Sequence, residues 1–325
     1  MTLIDIIDQV KSETEKANSS FSSVLPRLQL GIDATSLDAL KKCARYYKYA
    51  IIDGYVLPFQ NDHLTFGLIF HSATELYAHL RSDNIDHEKA LISVIRYVIV
   101  ETWDFELKRP WTSEIPEKSR NTLLRTVVWY LDHFKDDNLK TLILENGKPA
   151  VELSFRFNSN IETQTTGEHF QLCGHIDRVV EWNGQTWITD KKTTKYALDD
   201  GYFRQYTPDT QISLYTIAGI VVLNQEVDGL IVDAAQVLVT GGRFRRQPIP
   251  RSPEQLEEWM KDLGYWLRQL EAYAIDGYYP MNEHSCGYGN NQCVFRSVCS
   301  ADPSIREDLL YNNFNKRQWD PLQPR

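Results

Sequence analysis

Two aspartates and a lysine around a tight turn are the residues of this chain whose types and spacing best suit chemistry. They lie in the stretch Leu172 to Thr193, LCGHIDRVVEWNGQTWITDKKT, which is typical of two short strands. Asn183-Gly184 predicts the turn between them, because both central positions of a type I′ turn take positive φ angles. Counting outwards from the turn predicts four facing pairs: Trp182 with Gln185, Val180 with Trp187, Val179 with Ile188, and Asp177 with Asp190.

This register places Asp177, Asp190 and Lys192 on one face of the hairpin, whereas Lys191 points to the other face. Directly opposed residues on paired strands have Cβ atoms ~5 Å apart, so the two carboxylates repel each other unless a cation lies between them. We therefore predict a divalent metal ion at this position. The alternative is a surface salt bridge between Lys192 and one of the aspartates.

Two acids, a metal ion and a lysine suit the hydrolysis of a phosphodiester bond. Carboxylate oxygens bind Mg²⁺ or Mn²⁺, and the bound ion polarises the phosphate and lowers the pKa of a bound water. The lysine orients or deprotonates that water, or stabilises the charge that develops on the phosphate. Asp-x-Lys alone is a weak motif, and the second aspartate in register makes the pattern more specific.

The elements that must position these residues form an α/β chain whose hydrophobic period changes near residue 140. Helical spacing of apolar residues predicts helices at about 1–16, 37–49 (capped by Ser36), 64–80, 87–108, 117–135, 209–223 and 253–275. Alternation of apolar and polar residues predicts strands from residue 150, in the hairpin, and at about 228–239 and 243–249. Residues 303–325 are expected to be a tail with little structure of its own.

Several polar residues on these elements are candidates for the same site. His71 and Glu75 lie four residues apart, on one face of a predicted helix. His71 is either a metal ligand or a buried core histidine. Gln211 and Tyr215 are also four residues apart on one helix face. Glu152, on the polar side of the strand that begins near residue 150, is either solvated or a third acid.

The cysteines suggest a second centre. Cys286, Cys293 and Cys299 fall within 14 residues of a glycine- and asparagine-containing segment, a density that is hard to assign to a core. Cys43, on a predicted helix, is either a buried apolar residue or a further ligand.

A basic and aromatic run that follows the hairpin includes Arg204 and Tyr206. Aromatic side chains beside an arginine can stack on the bases of a single strand, and the alternative is that these rings belong to the core. The formal charge of the chain is −9, so nucleic-acid binding would require a local basic groove.

The composition also bears on location. There is no run of 18 apolar residues, so no transmembrane helix is expected, and the acidic amino-terminal segment is not typical of a secretory signal. We expect a cytoplasmic protein whose five cysteines are reduced or metal-bound. The sequence has no Walker motif, dinucleotide fingerprint, G-x-S-x-G or HExxH motif.

The motifs, in their order along the chain, resemble those of the PD-(D/E)XK nuclease superfamily, and within it the RecB-like exonucleases. The segment GLIFHSATEL resembles the helix with the family's G-x-x-x-H motif, which implies that His71 is a metal ligand. GHIDR and DKKT resemble the segments of the catalytic acids and lysine. The resemblance therefore implies that Asp177 and Asp190 are metal-binding catalytic acids and that Lys192 is the catalytic lysine.

Two further features of the chain resemble this family. QISLY is similar to its Q-x-x-x-Y motif, which implies that Gln211 and Tyr215 lie near the substrate or the lysine. A subset of these nucleases binds a [4Fe–4S] cluster through one cysteine before the core and three after it. That order implies the cluster ligands Cys43, Cys286, Cys293 and Cys299, with Zn²⁺ as the competing occupant.

The resemblance implies a mixed central β-sheet flanked by helices, a restriction-endonuclease-like core. We assign residues 1–140 to an added helical region, 141–280 to the nuclease core, and 281–325 to the cysteine cluster and tail. The implied function is a Mg²⁺- or Mn²⁺-dependent DNA exonuclease of a bacterium or a phage-infected cell, with DNA strands or ends and a replication or recombination protein as partners. The alternative is a catalytically silent module of the same fold that binds DNA or assists an assembly.

Overall fold

The structure is a computed structural model that describes residues 20–58, 62–287 and 292–321. The helix predicted at 1–16 lies outside the described residues. The chain forms two compact units that interleave in sequence. Unit 1 contains the described parts of Met1–Gln60, Ser154–Gly174 and Ser252–Arg325, and unit 2 contains those of Asn61–Leu153 and His175–Arg251.

The described residues contain ten α-helices, besides short 3₁₀ and π turns. They are α1 (Ala34–Lys42), α2 (Ala44–Tyr47), α3 (Asp62–Ser82), α4 (His87–Glu101), α5 (Arg120–His133), α6 (Asp200–Arg204), α7 (Thr210–Leu223), α8 (Pro253–Asp276), α9 (Arg296–Ser300) and α10 (Arg306–Asn313).

The same residues contain eleven β-strands, several of them only two residues long. They are β1 (Gly31–Ile32), β2 (Tyr55–Val56), β3 (Trp103–Asp104), β4 (Arg109–Pro110), β5 (Lys140–Thr141), β6 (Val151–Glu162), β7 (His169–Trp182), β8 (Gln185–Thr194), β9 (Gly229–Val237), β10 (Gly242–Pro250) and β11 (Asn315–Lys316).

Unit 2 is built on a mixed sheet in the order β7-β8-β9-β10, with β5 beside β7. The pairs β7–β8 and β9–β10 are antiparallel, and β8–β9 is parallel. Asn183 and Gly184 have φ angles of 53° and 79°, as a type I′ turn requires. The turn therefore fixes the predicted facing pairs Val179↔Ile188, Val180↔Trp187 and Trp182↔Gln185, all of which are confirmed.

Helices of unit 2 bury apolar side chains against this sheet. One cluster joins α3, α4 and α5 to β9, with Phe70, Val94 and Val127 fully buried beside Ala235. Gly219 lets α7 approach the sheet closely, since a Cβ at that position would come within 2.9 Å of Ile188 Cδ1. The predicted α/β class, with a mixed sheet flanked by helices, is confirmed.

Unit 1 contains the first part of β7, which pairs in parallel with β1, and β6 also pairs with β7. Helix α8 begins at Pro253 behind a capping box of Ser252 and Gln255, and its Glu271 accepts the N–H groups of Gln164 and Thr165. These bonds hold the turn that follows β6, because a buried carboxylate with two amide donors fixes the backbone that carries them.

The first helix differs from the prediction in its limits and in its cap. It begins after Asp33, whose side chain accepts from Ser36 N while Ser36 Oγ accepts from Asp33 N, so Ser36 is the third helical residue and not the cap. It ends before Cys43, which has extended backbone angles, and the chain then continues as α2 and a π-helical turn over Lys48–Ile52.

The expectation that residues 303–325 form a tail with little structure is wrong for much of that segment. A 3₁₀ turn over Pro303–Ile305 leads into α10, and β11 then pairs with β2. Leu310 and Phe314 are buried in an aromatic cluster with Tyr49 and Phe295. None of the described helices is both long and apolar enough to cross a membrane.

We predict that Gly229→Ala lowers the free energy of unfolding by about 2–3 kcal/mol in urea denaturation. Gly229 begins β9 with a φ of +145°, and a Cβ there would lie 2.4 Å from the carbonyl oxygen of Ile249. The matched control is Gly241→Ala, whose Cβ would meet open space. Equal stability of the two variants would show that the close approach at Gly229 is unimportant.

Candidate active site and cysteine cluster

Asp177 and Asp190 lie where the antiparallel ladder between β7 and β8 ends. The last paired residues are Arg178 and Thr189, one step short of the facing pair predicted for the aspartates. Asp177 Oδ2 instead accepts the backbone N–H of Lys191 at 3.2 Å. Both aspartates are buried, with 3% and 4% of their surface exposed, so two carboxylates are desolvated at one end of the hairpin.

His71, Glu75 and Asp177 form the tightest group of ligand atoms in the described part of the chain. One ligand atom from each residue lies within 4.8 Å of the other two. His71 and Glu75 are one helical turn apart on α3, so both side chains reach Asp177 from the same helix face. A histidine nitrogen and two carboxylates are a suitable donor set for a divalent cation.

The two ring nitrogens of His71 have different environments. Nε2 lies 2.6 Å from the carbonyl oxygen of Lys191, which can only accept, so Nε2 carries a proton. Nδ1 lies 3.2 Å from Asp177 Oδ2, and it is buried without a hydrogen bond. In the neutral ring the lone pair is therefore on Nδ1, which faces the carboxylates. Burial lowers the pKa of His71, but Asp177 outweighs burial and the net pKa is raised.

Glu75 is the carboxyl group that is most clearly destabilised in its ionised form by this arrangement. Burial, and then the neighbouring carboxylates of Asp177 and Glu152, raise its pKa to about 7. A cation bound among these groups would offset the repulsion and favour the ionised form. The position of His71 Nδ1 beside Asp177 and the raised pKa of Glu75 are thus both consistent with a site that accepts a divalent metal ion.

Asp190 takes part in a second group, with Lys192 and Gln211. Lys192 Nζ lies 2.6 Å from Asp190 Oδ2 and donates to Gln211 Oε1 at 2.9 Å. Gln211 Nε2 donates to Asp190 Oδ1 at 3.0 Å, which closes the ring of contacts. Burial lowers the pKa of Lys192, but Asp190 outweighs it and the net pKa is raised, so the lysine is an ammonium ion.

The other predicted residues of this site lie on the elements that follow β8. Tyr215 is buried on α7, one turn beyond Gln211. Tyr206 shares a contact of 3.1 Å between hydroxyl oxygens with Tyr202, and burial followed by Tyr202 raises its pKa. Arg204 is exposed at the end of α6.

Glu75 is the site residue to which sequence reasoning gave no ligand role. The four-residue spacing from His71 put it on the correct helix face, but that spacing does not reveal that Asp177 lies within reach. Glu152, the suggested third acid, has a left-handed φ of 52° at the start of β6, and its carboxylate interacts with Glu75. The close group of three ligand atoms does not include it.

Cys43, Cys286, Cys293 and Cys299 line one small cleft within unit 1. None of the five cysteines forms a disulfide. Cys43 Sγ accepts the backbone N–H of Asn282 at 3.3 Å, and the N–H of Cys293 donates to the carbonyl oxygen of Cys286 at 3.1 Å.

The surroundings of these thiols are partly apolar and partly basic. Burial raises the pKa of Cys293 and of Cys299, and nearby basic side chains oppose this effect: Lys42 at Cys293, and Arg45 at Cys299. The aromatic cluster around Phe295 packs against both thiols. Cys173 lies elsewhere in unit 1, fully buried, and burial raises the pKa of its thiol.

Comparison with known proteins gives one strong match. A family model described as "PD-(D/E)XK nuclease superfamily" matches residues 33–300, which is more than half of the chain. No curated protein matches. Among solved structures, "Crystal structure of SSO0001" is 10% identical to this chain, the match covers 73% of this chain and 95% of that one, and the TM-score is 0.30.

We predict that Mn²⁺ raises the melting temperature of the wild-type protein and that Asp177→Asn and Glu75→Gln weaken this response. A ligand that binds only the folded state stabilises it by about 2.7 kcal/mol at a hundredfold excess over Kd. The control is Glu145→Gln, which neutralises an exposed carboxylate in a turn of unit 2. The measurement is a thermal melt in EDTA and in a series of Mn²⁺ concentrations. A response of Glu75→Gln equal to that of the control would exclude Glu75 as a ligand.

The same variant has an expected effect without metal. A carboxyl whose pKa is raised by folding contributes stability at low pH that is lost as pH rises towards the folded value, here about 7. In EDTA, Glu75→Gln should therefore lose less stability than wild type between pH 5 and pH 8, as measured by urea unfolding. If wild type and Glu75→Gln lose the same stability between pH 5 and pH 8, ionisation of Glu75 does not destabilise the folded protein.

Proposed function

Because the chain belongs to the PD-(D/E)XK nuclease superfamily, we propose that it is a metal-dependent nuclease that hydrolyses phosphodiester bonds of DNA, and that it acts as an exonuclease. The observation that supports this most directly is the pair of polar groups at the end of the β7–β8 hairpin. One is His71, Glu75 and Asp177, and the other is Asp190, Lys192 and Gln211. Members of this superfamily use divalent metal ions.

His71, Asp177 and Asp190 are the proposed metal ligands, and Glu75 is added to them by its position. The bound Mg²⁺ or Mn²⁺ would polarise the phosphate and lower the pKa of a water. His71 is pre-oriented for this role, since Lys191 O holds Nε2 and leaves Nδ1 facing the acids. Asp177 is likewise fixed by the N–H of Lys191.

Lys192 is proposed to stabilise negative charge on the phosphate. Its raised pKa makes it an ammonium ion in this state, so donation of hydrogen bonds to phosphate oxygens is better supported than removal of a proton from water. Gln211 holds Lys192 and Asp190 in place by one hydrogen bond to each. Tyr215 is proposed to support α7 near the lysine, and Arg204 and Tyr206 to contact the substrate.

The setting inferred from the resemblance is DNA processing in a bacterium or a phage-infected cell. Single strands or duplex ends are the proposed substrates, and a replication or recombination protein is a candidate partner.

We predict that Lys192→Met and Asp190→Asn each reduce DNA cleavage by at least about a hundredfold, because each removes charge or a ligand needed in the transition state. The assay uses 5′- and 3′-labelled single- and double-stranded DNA with Mg²⁺ or Mn²⁺. The control is Lys261→Met, which removes an exposed lysine in unit 1.

Each outcome of this assay separates the possibilities. Wild-type activity in both variants would refute the assigned roles. Saturable DNA binding by wild type without any cleavage would instead indicate the catalytically silent module. The labelled products also show whether cleavage begins at an end, and at which one.

We further propose that Cys43, Cys286, Cys293 and Cys299 bind a [4Fe–4S] cluster. Support comes from the convergence of these four thiols, separated by up to 256 positions of the sequence, on one cleft. Four thiolates suit either iron–sulfur or zinc.

We predict that protein purified without oxygen is brown and contains iron rather than stoichiometric zinc, and that Cys293→Ala loses the iron. The loss of a structural cluster should also lower the free energy of unfolding by more than about 3 kcal/mol. Metal analysis and urea unfolding measure the two effects. The control is Cys173→Ala, which lies outside the cleft and should retain iron. Colourless protein with one zinc ion per chain would contradict the iron–sulfur proposal.

A further inference from the structure

Unit 2 contains a cavity of about 370 Å³ that the proposed nuclease reaction does not use. Its walls come from the second half of α3, the end of α5, the segment 139–143, and side chains of the central strands. Lys191 reaches it from β8, where side chains alternate, so the cavity lies on the face opposite to that of Asp190 and Lys192.

The lining of this cavity is strongly basic. Six cationic side chains line it: Arg81, Lys135, Lys140, Arg178, Lys191 and Arg246. One carboxylate, Asp137, lines it with them, and this group is paired with Arg246. Arg246 also binds Asp233, and Lys135 pairs with Asp132.

The remaining four cations form no salt bridge within the described part of the chain, although buried carboxylates act on Lys191 and Arg178 from a distance. Arg178 donates to Thr141 Oγ1 at 2.9 Å and to the carbonyl oxygen of Leu139 at 3.0 Å, and Arg81 donates to the carbonyl oxygen of Ile85 at 2.9 Å. These acceptors are neutral. They fix the guanidinium groups without cancelling their charge. For Lys140 and Lys191, the described residues supply neither an ion pair nor a side-chain hydrogen bond.

Of these four cations, Lys191 gives the strongest indication that the cavity binds an anion. It has 3% of its surface exposed, and its side chain lines the cavity without a hydrogen-bond acceptor. Asp233 and Asp177 act on it electrostatically, but the ion pairs of these carboxylates are with Arg246 and His71. A buried cation costs stability unless it is paired, so its presence here is explained if an anion completes the site.

The volume of the cavity and its uncharged lining residues indicate which kind of anion it can bind. Pockets for small organic ligands have volumes of about 300–1,000 Å³, so this cavity is larger than inorganic phosphate requires. Tyr77, Tyr130, Phe134 and Leu139 add aromatic and apolar surface to the basic groups. We propose that the cavity binds a phosphate ester of mononucleotide size, with its phosphate among Lys191, Arg178 and Lys140 and its organic part against the aromatic side chains.

The test is calorimetric titration of the full-length protein in EDTA, which removes divalent ions from the candidate active site. The probes are 5′-dAMP, inorganic phosphate and deoxyadenosine. Saturable binding of 5′-dAMP is expected, with weaker binding of phosphate and none of the nucleoside. Equal affinity for 5′-dAMP and phosphate, or no binding of 5′-dAMP, would overturn the proposal.

Variants locate the site. Lys191→Met and Lys140→Met should each weaken 5′-dAMP binding at least about tenfold. Lys140 is exposed, so its replacement tests the site even if Lys191→Met fails to fold. The matched control is Lys148→Met, an exposed lysine outside the cavity lining, which should bind as wild type does. Wild-type affinity in both cavity variants would refute the proposal.

One more variant separates this cavity from the nuclease site. The inference does not depend on the proposed nuclease activity, and Lys192 lies on the other face of β8. Unchanged 5′-dAMP affinity in Lys192→Met supports the cavity. A loss in Lys192→Met together with wild-type affinity in Lys191→Met would place the nucleotide at the candidate active site and overturn the proposal.

Discussion

Repulsion among buried carboxylates is the constraint on which the candidate active site depends. Asp177 and Glu75 are desolvated side by side, and the pKa of Glu75 rises to about 7 as a result. Apolar packing does not stabilise two adjacent buried carboxylates, so the surrounding helices and strands must keep these side chains in place. Helix α3 is packed through Phe70 into a core cluster of unit 2, and β7 and β8 are fixed by their ladder up to Arg178 and Thr189, the neighbours of the two aspartates. The stability of that frame offsets this cost, which either a bound cation or protonation of Glu75 would reduce.

Local chemistry made the hairpin predictable. A type I′ turn admits one register, and that register determined which face carries Asp190 and Lys192 and which carries Lys191. The point at which the ladder ends could not be predicted in the same way. It does not follow from the turn, and β8 continues beyond that point beside β9, where Asp190 pairs with Val232. That pairing joins segments about forty residues apart, and turn residues contain no information on it.

Contacts between distant segments also explain the other differences from the sequence predictions. The cap of α1 is Asp33 and not the predicted Ser36, because each of these residues bonds through its side chain to the backbone N–H of the other. Residues 303–325 were expected to be a tail with little structure of its own, whereas the described part of this segment is ordered. Its order comes from the burial of Phe314 and from the pairing of β11 with β2. The four cysteines that the resemblance grouped line one cleft, while the basic cavity has no sequence motif, since its six cations come from six separate segments.

The interleaving of the two units has a consequence for biosynthesis. Every described part of unit 2 lies between residues 62 and 251, so its strands and helices have all been translated before α8 begins. Unit 1 includes β1, the turn after β6, and the residues that follow Ser252. Its amino-terminal elements therefore cannot complete their packing until the carboxyl-terminal residues have been translated. The cleft that Cys43 lines is complete only after Cys299 has been translated. Unit 2 can therefore form its fold while the nascent chain is still tethered, whereas the cysteine cleft forms late, after its last thiol has emerged from the ribosome.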